Sequence, residues 1–323
     1  MCTAITYKAN DSYFGRNLDF EHGFGEVVTI TPRNYPFFLR KANHFQTRYG
    51  MIGMAVVVDQ YPLYYDATNE CGLSMAGLYF PGNAIYQEEK EGMDNITPFE
   101  FIPWILGQCS NLQDAVEKLK QTNLVDIPYS NQYPLTPLHW IIADRETSVT
   151  VEPMKHELKI FKNPLGVLTN NPPFDFHLHN LSNYINLTRE EPTNRFAPSY
   201  PIKPYSRGMG AIGLPGDLSS SSRFIRAAFT KLNSVSDGTE VSNISQFFHI
   251  LGSVTQQNGC ARVGDQFERT IYSSCCNVDK GIYYYTTYEN SQITGISMNE
   301  TNLNNKTLTI FPLITKQNIH MEN

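Results

Sequence analysis

Position 2 of the chain is a cysteine, one residue behind Met1. Methionine before a small side chain is normally removed, which would leave Cys2 with a free α-amino group. The thiol, with a reference pKa of about 8.5, and the α-amine, at about 7.7–8.0, lie close together. Near neutral pH the amine can therefore take the thiol proton at little cost. Nucleophile and base then share one residue, as when an N-terminal threonine uses its own amine. A cysteine here means little alone, but Gly15-Arg16-Asn17-Leu18-Asp19 follows. Arg16 is of a type that stabilises a thiolate, and Asp19 of a type that holds an ammonium by a charge-assisted hydrogen bond. Without Cys2 the same two residues would be an ordinary salt bridge of small energetic worth.

These groups need a rigid support, and the sequence pattern predicts strands. Thr3–Tyr7 and Tyr13–Asn17 flank an Ala-Asn-Asp-Ser turn, the composition of a hairpin. Glu26–Thr31, the continuous apolar run Met51–Val58, Tyr61–Asp66 and Leu73–Phe80 read as further strands. Thr97-Pro98 opens a helix, Phe99–Cys109, and Asn111 caps a second, Leu112–Gln121. Strands are expected again at Leu138–Ala143, Ser148–Glu152, Glu157–Phe161 and Gly166–Asn170. Helices are expected over 175–186, 221–233 and Ser245–Gln257. Arg269–Cys276, Gly281–Glu289, Ser291–Met298 and Lys306–Phe311 close the pattern as strands. Short turns between strands imply largely antiparallel sheets. Blocks of helix beside blocks of strand imply an α+β arrangement, two packed sheets covered by helices on both outer faces. Residues 188–217 carry five prolines and little periodicity. A loop that long in a compact domain is usually functional or an assembly element. With no linker and no internal repeat, residues 1–323 read as one domain.

Composition narrows the function. The 323 residues are 41% hydrophobic with 19 Tyr and 19 Phe, a globular and aromatic-rich chain. Net charge is -6 with no basic block, which argues against a nucleic-acid partner. No apolar stretch reaches the roughly 20 residues of a membrane helix. The start lacks the apolar run of a secretory signal, so a cytoplasmic protein is expected. The six cysteines show no C-x-x-C spacing, so neither a zinc site nor a redox site is expected. His22, His139, His177, His179 and His249 have no evident role and read as structural or exposed.

MCTAITY followed by FGRNLDFE resembles the choloylglycine hydrolase family, which contains bile salt hydrolases and penicillin V acylases. The resemblance runs almost the whole length, through YPLYYDATNE, GLSMAGLYFPGNA, NITPFEFIPWILGQCS, PLHWIIADRE, GVLTNNPPFD, SRGMGAIGLPGDLSS, SQFFHILGSV and YSSCCNVDKGIYYYTTYENSQI. It is strongest toward the bile salt hydrolases of Gram-positive gut bacteria. It implies the four-layer αββα fold of N-terminal nucleophile (Ntn) hydrolases, no cofactor, and a homotetramer with residues 188–217 as the assembly loop. It also implies catalytic positions. Cys2 matches the nucleophile, Arg16 and Asp19 its charged partners, Asn170 of the LTN motif an oxyanion donor, and Arg223 the arginine of the SRF motif. One position departs. Bile salt hydrolases usually read Gly-Leu-Asn-Phe where this chain has Gly77-Leu78-Tyr79-Phe80. Penicillin V acylases often carry Tyr there, and loss of an oxyanion donor can cost about 2.7–4 kcal/mol. Tyr79 could substitute with its hydroxyl or its backbone N–H.

The implied substrates are bile acids conjugated through an amide to glycine or taurine. A mostly apolar pocket with few polar groups suits them, and the matching loops supply Leu18, Phe24, Val58, Tyr65, Tyr129, Tyr133 and Leu138. Tyrosine pairs an apolar ring with a polar tip, which fits a hydroxylated steroid and equally the phenoxyacetyl group of penicillin V. The competing readings are a penicillin V acylase on the same scaffold and a non-catalytic bile-acid binding protein. A Cys-His hydrolase using Cys71 or Cys109 is remote.

Overall fold

The computed structural model describes residues 1–323. Its strands, in chain order, are β1 (Cys2–Lys8), β2 (Ser12–Phe20), β3 (Val27–Thr31), β4 (Met51–Val58), β5 (Tyr61–Asn69), β6 (Ser74–Tyr79), β7 (Leu138–Ala143), β8 (Ser148–Pro153), β9 (Leu158–Lys162), β10 (Val167–Leu168), β11 (Ala261–Val263), β12 (Gln266–Asn277), β13 (Ile282–Thr287), β14 (Thr294–Ser297) and β15 (Thr309–Pro312). Two further short ribbons lie among the loops. The helices are α1 (Phe101–Leu106), α2 (Leu112–Leu119), α3 (Phe174–Asn180), α4 (Ser220–Asn233) and α5 (Glu240–Gly252).

One sheet has seven strands in the order β10-β1-β2-β12-β13-β14, with β11 paired to β12. The other has eight, β9-β8-β7-β6-β5-β4-β3-β15. Every pairing within both is antiparallel. Helices α4 and α5 pack on β1, and α5 also on β2 and β12, while α1 packs on β5 and β6. The result is the expected four-layer αββα arrangement.

Period-two alternation accounts for the layering. In β7, Ile141 and Ala143 enter the core between the sheets, whereas Trp140 and Ile142 enter the core under α1 and α2. In β4, Ile52 and Met54 face the first core and Met51 and Ala55 the second. A strand covered on both faces reads as a continuous apolar run, which is why Met51–Val58 lacks polar alternation.

Helix boundaries differ from the sequence reading in several places. The stretch expected over 175–186 is an α-helix only over Phe174–Asn180, followed by a 3-10 turn at Leu181–Tyr184, and the helix expected to reach Gln121 ends at Leu119. The helix expected over Phe99–Cys109 is only Phe101–Leu106. The one expected over Ser245–Gln257 starts five residues earlier, at Glu240, because the Thr239 hydroxyl caps it by accepting the Ser242 N–H at 3.2 Å.

Candidate active site

Cys2 is the first residue of β1 and lies opposite Leu18 on β2. Cross-strand partners share a face, as do residues two apart in a strand. Cys2, Leu18 and Arg16 therefore face the space between the sheets. Asp19, three residues from Arg16, falls on the opposite face, toward α4. The two charged residues thus serve different sides of Cys2.

Arg16 is wholly buried. Its guanidinium donates to the Tyr65 carbonyl at 3.2 Å, to the Gly77 carbonyl and, through Nε, to its own strand at Asn17. Strands β5 and β6 pair only from Asp66–Ala76 onward, so Arg16 fills the gap where they diverge. Its Nη2 has no partner. Burial opposes the charge, but Cys2, Tyr272, Asp66 and Asp19 outweigh it and hold Arg16 more firmly protonated. Gly15 is required beside it, since a Cβ there would collide with the Ser274 backbone, and the Ser274 hydroxyl accepts the Arg16 N–H at 3.1 Å.

On the α4 side, Asp19 accepts from the Thr270 hydroxyl at 2.6 Å, and its second oxygen, 4.0 Å from Arg223, has no hydrogen-bond partner. Burial raises its carboxyl pKa; Arg223, the chain's amino terminus and Thr270 act against that. Arg223 donates to the Cys2 carbonyl at 2.5 Å, to the Thr3 hydroxyl at 2.6 Å and to Asn170 Oδ1 at 2.7 Å. Burial lowers its pKa, with Asp19 and Cys2 opposing.

Asn170 joins both sides of the site. Its Oδ1 accepts from the Cys2 N–H at 2.8 Å and from Arg223, and its Nδ2 donates to the Tyr79 carbonyl at 2.6 Å. Two donors on one end and a carbonyl on the other leave a single consistent amide orientation. One Nδ2 hydrogen remains uncommitted. The sequence reading gave Tyr79 a hydroxyl or backbone N–H role. Its carbonyl is what contacts Asn170, while its side chain is 39% exposed. Residues 77 and 79 of β6 turn their backbone groups to the same edge, so the Tyr79 N–H lies beside the carbonyls that hold Arg16 and Asn170.

Met1 is present in the full chain. Its ammonium donates to the Asp19 carbonyl at 2.8 Å and pairs with Glu268. In this form the Cys2 nitrogen is a peptide amide and cannot accept a proton. Burial lowers the pKa of the Met1 ammonium.

The expected pocket residues form smaller groups. Tyr65 packs on Tyr272, with ring centroids 6.5 Å apart. Burial raises its hydroxyl pKa, with Glu26 acting in the same direction and Arg16 against it. Tyr129 donates to the Val58 carbonyl at 3.2 Å and meets Tyr133 edge-on at 6.1 Å. Leu138 lies opposite Tyr79 in the β6–β7 pair. Phe24 packs at a tilt on Phe20 and His22, with ring centroids 5.0 and 4.8 Å away.

Sequence reasoning missed several residues. Asp66, fully buried, accepts from the Tyr272 and Tyr283 hydroxyls, each at 2.7 Å. Burial raises its pKa against the pull of Arg16 and these donors. Two β-bulges make this placement possible. In β5 the register shifts at Tyr65, so that Tyr65 and Asp66, though adjacent, both face the space between the sheets. In β12 it shifts at Ile271, so that Thr270 turns outward to Asp19 while Tyr272 turns inward to Asp66. Asp66 stands in the quoted stretch YPLYYDATNE, but periodicity alone gives no sign of a bulge.

Residues 2–311 match the family model of linear amide C–N hydrolases, choloylglycine hydrolase family. The bile salt hydrolase/transferase of Lactiplantibacillus plantarum is 54% identical over 314 residues, 97% of each chain. That of Clostridium perfringens is 39% identical, covering 96% of this chain and 99% of the relative. A crystal structure of a mutant conjugated bile acid hydrolase from Clostridium perfringens superposes with a TM-score of 0.93 at 37% identity, over the full length of both chains. A penicillin V acylase from Agrobacterium tumefaciens shares the fold, with a TM-score of 0.77 at 18% identity over 96% of this chain and 91% of its own. The chain belongs to the choloylglycine hydrolase family of linear amide C–N hydrolases.

Proposed function

We propose that this chain hydrolyses the amide bond of glycine- or taurine-conjugated bile acids, with Cys2 as nucleophile once Met1 is removed. The observation that carries the reading is the closed network of Cys2, Asn170 and Arg223, flanked by Arg16 and Asp19 with one unpaired polar atom each. Relatives of up to 54% identity named for bile salt hydrolysis support the substrate class.

After Met1 leaves, the Cys2 nitrogen becomes an amine that keeps its hydrogen bond to Asn170 Oδ1, and the unpaired Asp19 oxygen on the Arg223 side stabilises its charged form. The amine accepts the thiol proton, and the thiolate, facing Arg16, attacks the amide carbon. The oxyanion is met by the uncommitted Nδ2 hydrogen of Asn170 and by the Tyr79 backbone N–H. This assigns Tyr79 a main-chain role and makes an asparagine side chain at that position dispensable. The Cys2 ammonium then protonates the departing nitrogen of glycine or taurine, the C–N bond breaks, and a thioester remains. Water, deprotonated by the same amine, hydrolyses it and frees the bile acid. Leu18, Phe24, Val58, Tyr65, Tyr129, Tyr133 and Leu138 line the steroid site in this reading. The chain acts as one domain, residues 1–323, in the cytoplasm. No helix in it is long and apolar enough to cross a membrane. Residues 188–217 assemble it into a homotetramer; the exposed Phe196 and Tyr205 side chains there are suited to an interface.

Purified enzyme is to be compared on glycocholate, taurocholate and penicillin V. Amine release from the two bile salts at higher kcat/KM than penicillin V cleavage is expected. Faster penicillin V turnover would favour the acylase alternative that Tyr79 raises, and bile-acid binding without amine release would mark a non-catalytic binder.

A further inference from the structure

Two histidines that the sequence reading left without a role lie directly behind Asn170. Both are fully buried. His139 Nε2 contacts the Thr169 carbonyl at 2.8 Å, and His177 Nε2 contacts the Asn170 carbonyl at 3.0 Å. A carbonyl only accepts, so each Nε2 carries a proton and donates it. The imidazoles therefore hold two successive carbonyls of the turn that presents the Asn170 side chain.

The rings are themselves fixed. His139 stacks on Phe80 with centroids 4.2 Å apart, and His177 on Phe224 at 4.7 Å. Phe80 follows Tyr79, whose carbonyl binds Asn170 Nδ2. Phe224 follows Arg223, which binds Asn170 Oδ1. Each histidine thus contacts both the Asn170 turn and the neighbour of one of Asn170's side-chain partners. His139 Nδ1 meets Glu152 at 3.0 Å across the β7–β8 pair, and the same Glu152 oxygen accepts the first N–H of α3, from Phe174, at 3.0 Å. Burial lowers the His177 pKa to about 4, so its ring is neutral with one N–H to give.

We infer that His139 and His177 are positioning residues, which hold the main chain of Thr169 and Asn170 so that the Asn170 amide stays in register with Cys2 and Tyr79. This rests on the hydrolase reading above. Ser220 Oγ already accepts the Asn170 N–H at 2.8 Å, and the two imidazoles fasten the carbonyl side of the same turn, which otherwise could tilt about that bond. Displacement by about 1 Å is enough to cost on the order of 10²-fold in rate.

The test compares His177→Leu, which removes the donor, with His177→Gln, which keeps an N–H at similar reach. kcat is normalised to the folded fraction of the same sample, read from its thermal unfolding transition, so that unfolded protein does not count. His177→Leu is expected to lower kcat roughly 10- to 100-fold with KM within about twofold of the parent, and His177→Gln to recover most of the loss. If the Leu variant does not accumulate folded, His177→Asn takes its place, its amide being too short to span the contact. Unchanged kcat in the donor-free variant overturns the inference, as does a Gln variant no better than it. Cys2→Ala is assayed alongside. Activity surviving in Cys2→Ala sinks the underlying reading, whereas a dead Cys2→Ala beside unaffected His177 variants sinks this inference alone.

Discussion

Arg16, Asp66, Tyr272 and Tyr283 are all fully buried and come from four strands belonging to both sheets. Phe24, Tyr79, Tyr129 and Tyr133 lie on loops or at a strand end, exposed or half-buried. The first group meets through charge and hydrogen bonds at defined distances; in the second, Tyr129 meets Tyr133 and Phe24 meets Phe20 and His22 through ring contacts. A charged group taken from water must be held by fixed partners, so the region that handles charge is built on strands of both sheets. A surface that meets a large apolar ligand needs area more than angles. The two regions should therefore fail differently when altered. Changes in the buried group should appear in kcat, and changes in the rim in KM.

The largest expected effect comes from denying Cys2 its amine. A chain with an uncleavable residue ahead of Cys2 keeps the contacts of Met1 with Asp19 and Glu268. It should fold with an unchanged melting temperature and lose on the order of 10⁴-fold or more in turnover. Intact-mass measurement establishes whether the extra residue is present. Full activity with that residue in place would remove the basis for the whole division into two regions.

Next comes Asn170→Ala. It removes the proposed oxyanion donor and leaves Arg223 without one of its four acceptors, the Leu218 carbonyl among them. kcat should fall by about 10²–10³-fold, with KM little changed. A variant that loses affinity rather than rate would place Asn170 functionally with the rim. A smaller effect is expected of Asp66→Asn. The amide keeps one acceptor oxygen for Tyr272 and Tyr283, so it weakens their hydrogen bonds and removes a charge that helps hold Arg16 protonated beside Cys2. kcat should fall by roughly tenfold, with KM little changed. An unchanged kcat would show that Asp66 has only a structural role.

The same division governs what could be read before the structure was known. The β1–β2 hairpin was legible because alternation and a turn of Asn, Asp and Ser leave a local signature, and Cys2, Arg16 and Asp19 fall within it. The layered fold was legible from the succession of strand and helix blocks. Asp66 was not, because it reaches the site through a bulge at Tyr65 and partners far away in sequence, Tyr272 and Tyr283. The roles of His139 and His177 depend on residues 30 and 7 positions away, and no periodicity reveals them. The start of α5 was placed late because the stretch before Ser245 is polar, and the cap that starts it, Thr239, is fixed only by its bond to the Ser242 N–H. The backbone role of Tyr79 was open because a main-chain carbonyl looks the same in every residue type.

The smallest effect belongs to the rim, and Tyr129 isolates it. Its ring meets Phe99 edge-on at 5.1 Å and lies 5.6 Å from the Arg40 guanidinium, and its hydroxyl donates to the Val58 carbonyl. Tyr129→Phe keeps the ring contacts and deletes only the hydrogen bond. The Val58 carbonyl lies in a half-buried stretch where water can replace the lost donor. One such bond contributes about 0.5–1.5 kcal/mol, which corresponds to roughly a two- to tenfold change if it acts entirely on substrate affinity. Glycocholate KM should therefore rise within that range while kcat holds. A fall in kcat at constant KM would mean that the Val58–Tyr129 contact is coupled to Cys2 through Tyr133 and Tyr65. The boundary between the buried charge system and the rim would then have to be moved outward to include it.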